Sequence, residues 1–175
     1  EYTLGDLFEI APSKTHANIK TVMDGDVPVI SNTSTNNGVI GYTSLGANNP
    51  ANVITFSDTT DSDKTFFYQE KPFVGYAHVQ TMQPKSIQMD KQIAAYINTC
   101  ICRKIAGVYN YGSKFNRETA RRISIELPAN SSGEIDVAYM RAYIRWVEGK
   151  QIERLIEFLS TQQGIVTPAA TVVSA

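Results

Sequence analysis

Beyond Pro128 the chain settles into one apolar rhythm: Val137, Met140, Ile144, Val147, Ile152, Leu155 and Leu159 recur nearly every three to four residues. That period predicts a long helical pattern from Asp136 to Gln162, with Ser131 and Glu134 at capping-box spacing just ahead of it. A helix of that length extends about 40 Å. The remaining ~130 residues make a body with a radius of gyration near ~14 Å, too small to cover the whole stripe. Either Gly149 breaks the pattern into a folded-back helical hairpin, or the stripe pairs with another helix as a coiled coil. On the second outcome these seven apolar residues are the candidate dimerisation surface.

Upstream the pattern changes from helical to short and extended. Thr3 is placed to cap a turn over Leu4 to Phe8, followed by extended Glu9 to Ala11 and a polar stretch from Pro12 to Gly25. Strand-like runs then alternate with turn residues: Val27 to Ser31, Val39 to Tyr42, Val53 to Ser57, Thr65 to Tyr68, Phe73 to Tyr76 and Val79 to Met82. This spacing predicts an α+β domain built on a twisted, mostly antiparallel sheet with short helices. A helix is expected over Asp90 to Ile105, where Ile93, Ile97, Cys100, Ile101 and Ile105 share a face and Cys102 falls off it. Two cysteines two residues apart are poorly placed for a disulfide, and with His16 and His78 they make no metal set, so both are read as reduced thiols. Asn116 is placed to cap a short helix, Arg117 to Arg122, before a strand from Ile123 to Leu127 that Pro128 ends.

Charge is distributed unevenly. The twenty residues from Arg103 to Arg122 carry six basic side chains against one acid, Glu118, while the rest of the chain holds ten basic and sixteen acidic. Tyr109, Tyr111 and Phe115 are interleaved there with Lys114 and Arg117, the mixture that phosphate contact and base stacking require. The same composition also fits a solvated loop. Two linkers are rich in short polar side chains, Ser31 to Gly38 (SNTSTNNG) and Ser57 to Asp63 (SDTTDSD). Such stretches usually form turns, but the first is eight residues long where two close a hairpin, and its Asn and Thr groups suit base edges.

Several chemistries lack their residues. Asn49-Pro50-Ala51-Asn52 has neither the second proline nor the aromatic of an adenine methyltransferase loop, and no glycine-rich nucleotide turn occurs. Asp58, Asp61 and Asp63 do not keep EF-hand spacing and read as an exposed acidic turn. Glu148-Gly149-Lys150 offers a nuclease-like Glu-x-Lys, with Asp136 upstream, but on a helix and not on adjacent strands. Neither histidine has a nearby acid and nucleophile in a recognisable elbow. No run is long enough to span a bilayer, the N-terminus has no signal-peptide pattern, and the missing initial Met is expected of a fragment or trimmed chain. The reading is a cytoplasmic binding protein, with no cofactor, no metal and no catalytic residue expected.

Several stretches resemble, in order, a target recognition domain of type I restriction-modification specificity subunits. They are Leu4-Gly5-Asp6-Leu7-Phe8-Glu9-Ile10, then Pro28-Val29-Ile30-Ser31 followed by Asn36-Asn37-Gly38-Val39-Ile40-Gly41-Tyr42. Tyr109-Asn110-Tyr111-Gly112-Ser113-Lys114 is similar to the family's tyrosine-glycine loop and Ile125-Glu126-Leu127-Pro128 to its closing strand. Gly133-Glu134-Ile135-Asp136, with Tyr139-Met140 and Tyr143-Ile144, resembles the start of its spacer helix. The likeness runs to about Gln163.

The resemblance implies a reader of one half of a split double-stranded DNA target, with methyltransferase and motor-nuclease subunits on separate chains. It implies residues 1–133 as the DNA target recognition domain and 134–163 as a spacer and dimerisation helix; residues 164–175 stay unassigned. The family pattern carries two of each, so a chain with one of each implies pairing with a second copy, or one half of a longer subunit or fused enzyme. Base readout is then expected from Ser31, Asn32, Thr33, Asn36, Asn37, Tyr109, Asn110 and Tyr111. Phosphate contacts are expected from Lys114, Arg117, Arg121 and Arg122, with Lys85 and Arg103 further out.

Overall fold

The computed structural model of the protein describes residues 1–20, 24–59, 62–109 and 115–162. Strand β1 (Tyr2–Thr3) runs into a one-turn helix, α1 (Leu4–Leu7). A capping box opens that helix: Asp6 N–H donates to Thr3 Oγ1 at 3.1 Å and Thr3 N–H to Asp6 Oδ2 at 3.0 Å. Hydrogen bonds from the Thr3 hydroxyl and then its amide hold the Asp6 carboxyl below its ordinary value.

The following strands are β2 (Phe8–Pro12), β3 (Val27–Ile30), β4 (Val39–Thr43), β5 (Val53–Ser57), β6 (Phe67–Gln69), β7 (Val74–Gly75) and β8 (Val79–Pro84). They are mostly antiparallel, as the sequence predicts, but are divided between two sheets. One sheet is antiparallel in the order β2-β8-β5-β6; the other has the order β4-β3-β7, with β3 and β7 parallel. The reason lies in β5, which is buried at every position and so needs cover on both faces. Ile54 and Phe56 enter the main core with Ile10 and Met82, while Val53 joins Ile30, Phe73 and Val79 in a second core. A two-stranded pair of β1 and β9 (Ser124–Ile125) ties the N-terminus to the far end of the domain.

Helix α2 (Lys91–Ile105) covers the main core with Ile93, Ala94, Ile97, Ile101 and Ile105. Asp90 caps it, accepting the Ile93 N–H at 2.9 Å. Both cysteines are half-buried and packed against this core, so Cys102 is not off the apolar side as expected; both are free thiols. Burial pushes each thiol up from its ordinary value. Helix α3 (Arg117–Arg122) starts as its sequence predicts, with Asn116 Oδ1 accepting the Thr119 N–H at 3.0 Å.

Helix α4 (Val137–Gln162) runs unbroken through Gly149, so the hairpin alternative is not adopted. Its start also differs from the expected capping box. Asn130 Oδ1 accepts the N–H groups of Ser132 and Glu134 at 2.9 and 3.0 Å, closing a separate turn, and Asp136 caps the helix through Tyr139 N–H at 2.8 Å. The first turns belong to the domain: Met140 is fully buried, Val137 is partly buried against the main core, and Tyr143 meets Tyr96 of α2 edge to face at 5.8 Å. Arg141 reaches the Asp90 carboxylate. Of the predicted dimerisation residues, therefore, Met140 and Val137 are taken up internally, and Ile144 and Val147 are half-buried. From Lys150 to Thr161 every residue is exposed, including Ile152, Leu155, Ile156, Phe158 and Leu159. Among the described residues no helix is long and apolar enough to cross a membrane.

Candidate nucleic-acid interface

The polar loop between β3 and β4 is closed at its ends, Ser31 N–H donating to Gly38 O at 2.8 Å. Asn36 and Asn37 adopt left-handed backbone, φ 49° and 54°, a conformation asparagine tolerates better than most residues. Each amide is committed to the fold: Asn36 Nδ2 donates to Val39 O at 2.9 Å and Asn37 Nδ2 to Tyr68 O at 3.0 Å. Gln69 Nε2 returns a bond to Asn37 O at 3.1 Å. Thr33 and Thr35 pair their hydroxyls at 3.1 Å across the loop tip.

The second polar linker meets the first. Asn32 Nδ2 donates to Thr59 Oγ1 at 3.2 Å, and Thr59 Oγ1 lies 3.2 Å from Ser57 Oγ. Asp58, read from sequence as an exposed acidic turn, is instead braced inward. Its Oδ2 accepts Gln80 Nε2 at 2.7 Å, and Gln80 Oε1 accepts Arg117 Nη1 at 3.2 Å. His78 Nδ1 stands 3.3 Å from Asp58 Oδ1, within ion-pairing range but off the hydrogen-bonding line, which leaves that buried oxygen without a hydrogen bond. Asp58, Asn116, Arg117 and Glu118 line a recess of about 150 Å³. One edge of the domain thus gathers the first polar loop, the end of β5, the His78 turn and the start of α3.

The tyrosine loop springs from the same edge. Tyr109 packs edge to face on Phe115 at 5.0 Å, and Phe115 packs on Phe56 and Phe66 at 5.4 and 5.8 Å. Tyr109 is therefore partly a core residue, and it holds the two ends of the loop together. Asn110, Tyr111 and Lys114 lie outside the described residues.

Three of the basic residues expected at the interface stand elsewhere. Lys85 Nζ donates to Gly5 O at 2.5 Å and Arg121 Nη2 to Ile10 O at 2.7 Å, so both fasten backbone around α1 and β2. Arg121 also pairs with Glu118. Arg103 borders a different recess, with Glu1, Lys104 and Glu126. Arg122 is exposed. Sequence reasoning missed Asp58, Gln80 and His78 as members of the edge. The available signal was Gln80, a long polar side chain in register with apolar Met82 on the core face of β8. Among the described residues no three His, Cys, Asp or Glu side chains stand together as a metal set.

The family model for the type I restriction modification DNA specificity domain matches residues 1–157. The chain belongs to this family. As a member of the DNA specificity family, it is 27% identical over 134 residues to the specificity subunit S.BcgI of a type II restriction enzyme from Heyndrickxia coagulans, covering 76% of this chain and 39% of that one. The specificity-domain fold is also that of the type I restriction-modification S subunit from M. genitalium, with TM-score 0.58 and 13% identity over 93% of this chain and 42% of the other. The HsdS subunit from Thermoanaerobacter tengcongensis gives TM-score 0.58 and 10% identity over 95% and 39%. This specificity-family chain spans about two-fifths of the length of the relatives it matches.

Proposed function

We propose that this chain reads one half of a bipartite double-stranded DNA target, performs no chemistry itself, and directs separate methyltransferase subunits, and with them a nuclease, to that site in the cytoplasm. The observation that carries the reading is the meeting of the polar loop, the Asp58 turn and the base of the tyrosine loop along one edge, in a chain of the DNA specificity family. Ser31, Asn32 and Thr33 with Tyr111 face the bases, Asn36 and Asn37 keep the first loop in shape, and Lys114 with Arg122 grips phosphates. The exposed stripe Ile152, Leu155, Ile156, Phe158 and Leu159 pairs as a coiled coil with an equivalent helix, from a second copy or from the other half of a longer subunit. The recognition domain takes in the first turns of α4, and the exposed remainder of that helix is the pairing segment.

Retardation of duplex DNA at low salt tests the binding, and long-read methylation mapping of the host genome tests the bipartite target. A purified chain that retards no duplex at any salt concentration, or that transfers methyl groups unaided, contradicts this function.

A further inference from the structure

Arg117 is a predicted phosphate contact that stays at the polar edge, yet its geometry argues against that role. It is held by an acceptor, Gln80 Oε1, on a side chain only 3% exposed. The orientation of that amide is not arbitrary. A carboxylate only accepts and a guanidinium only donates, so Asp58 on one side and Arg117 on the other fix Nε2 and Oε1 in the observed positions. Asp58 is held in turn by its own N–H to His78 O at 3.2 Å. The chain Asp58–Gln80–Arg117 therefore orients the guanidinium from below, and neighbouring bonds in such a chain polarise one another.

The charges around the guanidinium point the same way. Among the described residues, the recess it borders is lined by two carboxylates, Asp58 and Glu118, and by the neutral Asn116. Glu118 is shared with Arg121, and His78 flanks Asp58 on the side of the unbonded oxygen. A phosphate approaching Arg117 meets both carboxylates, whereas the edge of a base pair is uncharged and carries acceptors for the guanidinium and amino donors for the acids. A phosphate grip also tolerates a mobile side chain, while base readout requires donors held in a narrow geometry.

We infer that Arg117 is a specificity-determining residue that contacts a base edge, and that Gln80 and Asp58 are its positioning residues. The inference rests on the DNA-reading function proposed above. It differs in assigning one position of the target to a side chain at the start of α3.

The test uses the full chain and its Arg117→Lys, Gln80→Leu, Asp58→Leu and Asp58→Asn variants, each used to enrich bound duplexes from a random pool at low salt. The wild type enriches a motif. Arg117→Lys and Gln80→Leu lose preference at one or two adjacent base pairs and keep it elsewhere, with about tenfold or greater loss of affinity for the wild-type motif and about unchanged affinity for a scrambled duplex. Asp58→Asn, which keeps an acceptor for Gln80, loses less than Asp58→Leu. Thermal unfolding accompanies each variant, and if Gln80→Leu does not fold, the two Asp58 variants carry the comparison. The inference is overturned if the variants enrich the complete wild-type motif, or if selected and scrambled duplexes weaken together, as a phosphate contact requires. A wild-type chain that enriches no motif overturns the DNA-reading function itself and this assignment with it.

Discussion

Asp90 serves two helices at once: its carboxylate caps α2 through Ile93 N–H and receives Arg141 from α4. Burial alone raises the Asp90 carboxyl, but the Ile93 amide and Arg141 together outweigh it and leave the group below its ordinary value. A depressed folded-state pKa stabilises above the unfolded value near ~3.9, and that contribution disappears as pH falls through the lower folded value. The α2–α4 junction should therefore weaken below about pH 4. Asp90→Ala should cost about 1 kcal/mol through the lost cap and flatten that acid limb. An unchanged pH dependence of thermal unfolding in the variant would remove Asp90 from this role.

Two adjacent arginines should separate stability from binding. Arg121→Ala loses the bond to Ile10 O and should lower stability by about 1 kcal/mol without changing the salt slope of DNA binding. Arg122→Ala should leave unfolding untouched and reduce that slope by about 0.9. The opposite pattern would exchange their roles.

Asn37→Val should destabilise by about 2 kcal/mol, because a β-branched residue at φ 54° is strained and the bond to Tyr68 O is lost. Asn37→Gly should cost less, since it removes only the hydrogen bond. Equal losses for the two variants would show that conformation is not the cause.

Leu155→Glu/Leu159→Glu should abolish helix pairing, measured by sedimentation, while leaving domain unfolding unchanged, because both side chains are exposed in the single chain. Loss of domain stability in that variant would mean that the helix end packs on its own domain.

The thiols of Cys100 and Cys102 are raised by burial, so less thiolate is present at a given pH. Alkylation at pH 8 should run slower in the folded chain than in urea. Equal rates would show the thiols to be fully accessible.

What could be read in advance was mostly local. The three-to-four spacing gave α2 and α4, Thr3 and Asn116 gave two caps, and the strand runs gave their positions within a few residues. Pairing was not legible, because the division into two sheets and the parallel contact of β3 with β7 depend on which strand must bury both faces. The edge was half legible: composition marked its loops, but Arg117 and Arg121, one helical turn apart, turn toward Gln80 and Ile10 for reasons that no local pattern carries. Asp58 looked like a solvated acid because its partners, Gln80 on β8 and His78 just before that strand, lie far away in sequence.

Asn36 and Asn37 hold the first polar loop by bonding to the carbonyls of Val39 and Tyr68, and every amino acid supplies a carbonyl. These two bonds thus depend on the asparagines and on backbone, not on the identities of the residues at positions 39 and 68. Ser34, exposed in the loop, can then be exchanged by mutation without breaking either bond. On the DNA-reading function proposed above, a loop built this way can change its preference through such exposed positions while keeping its fold.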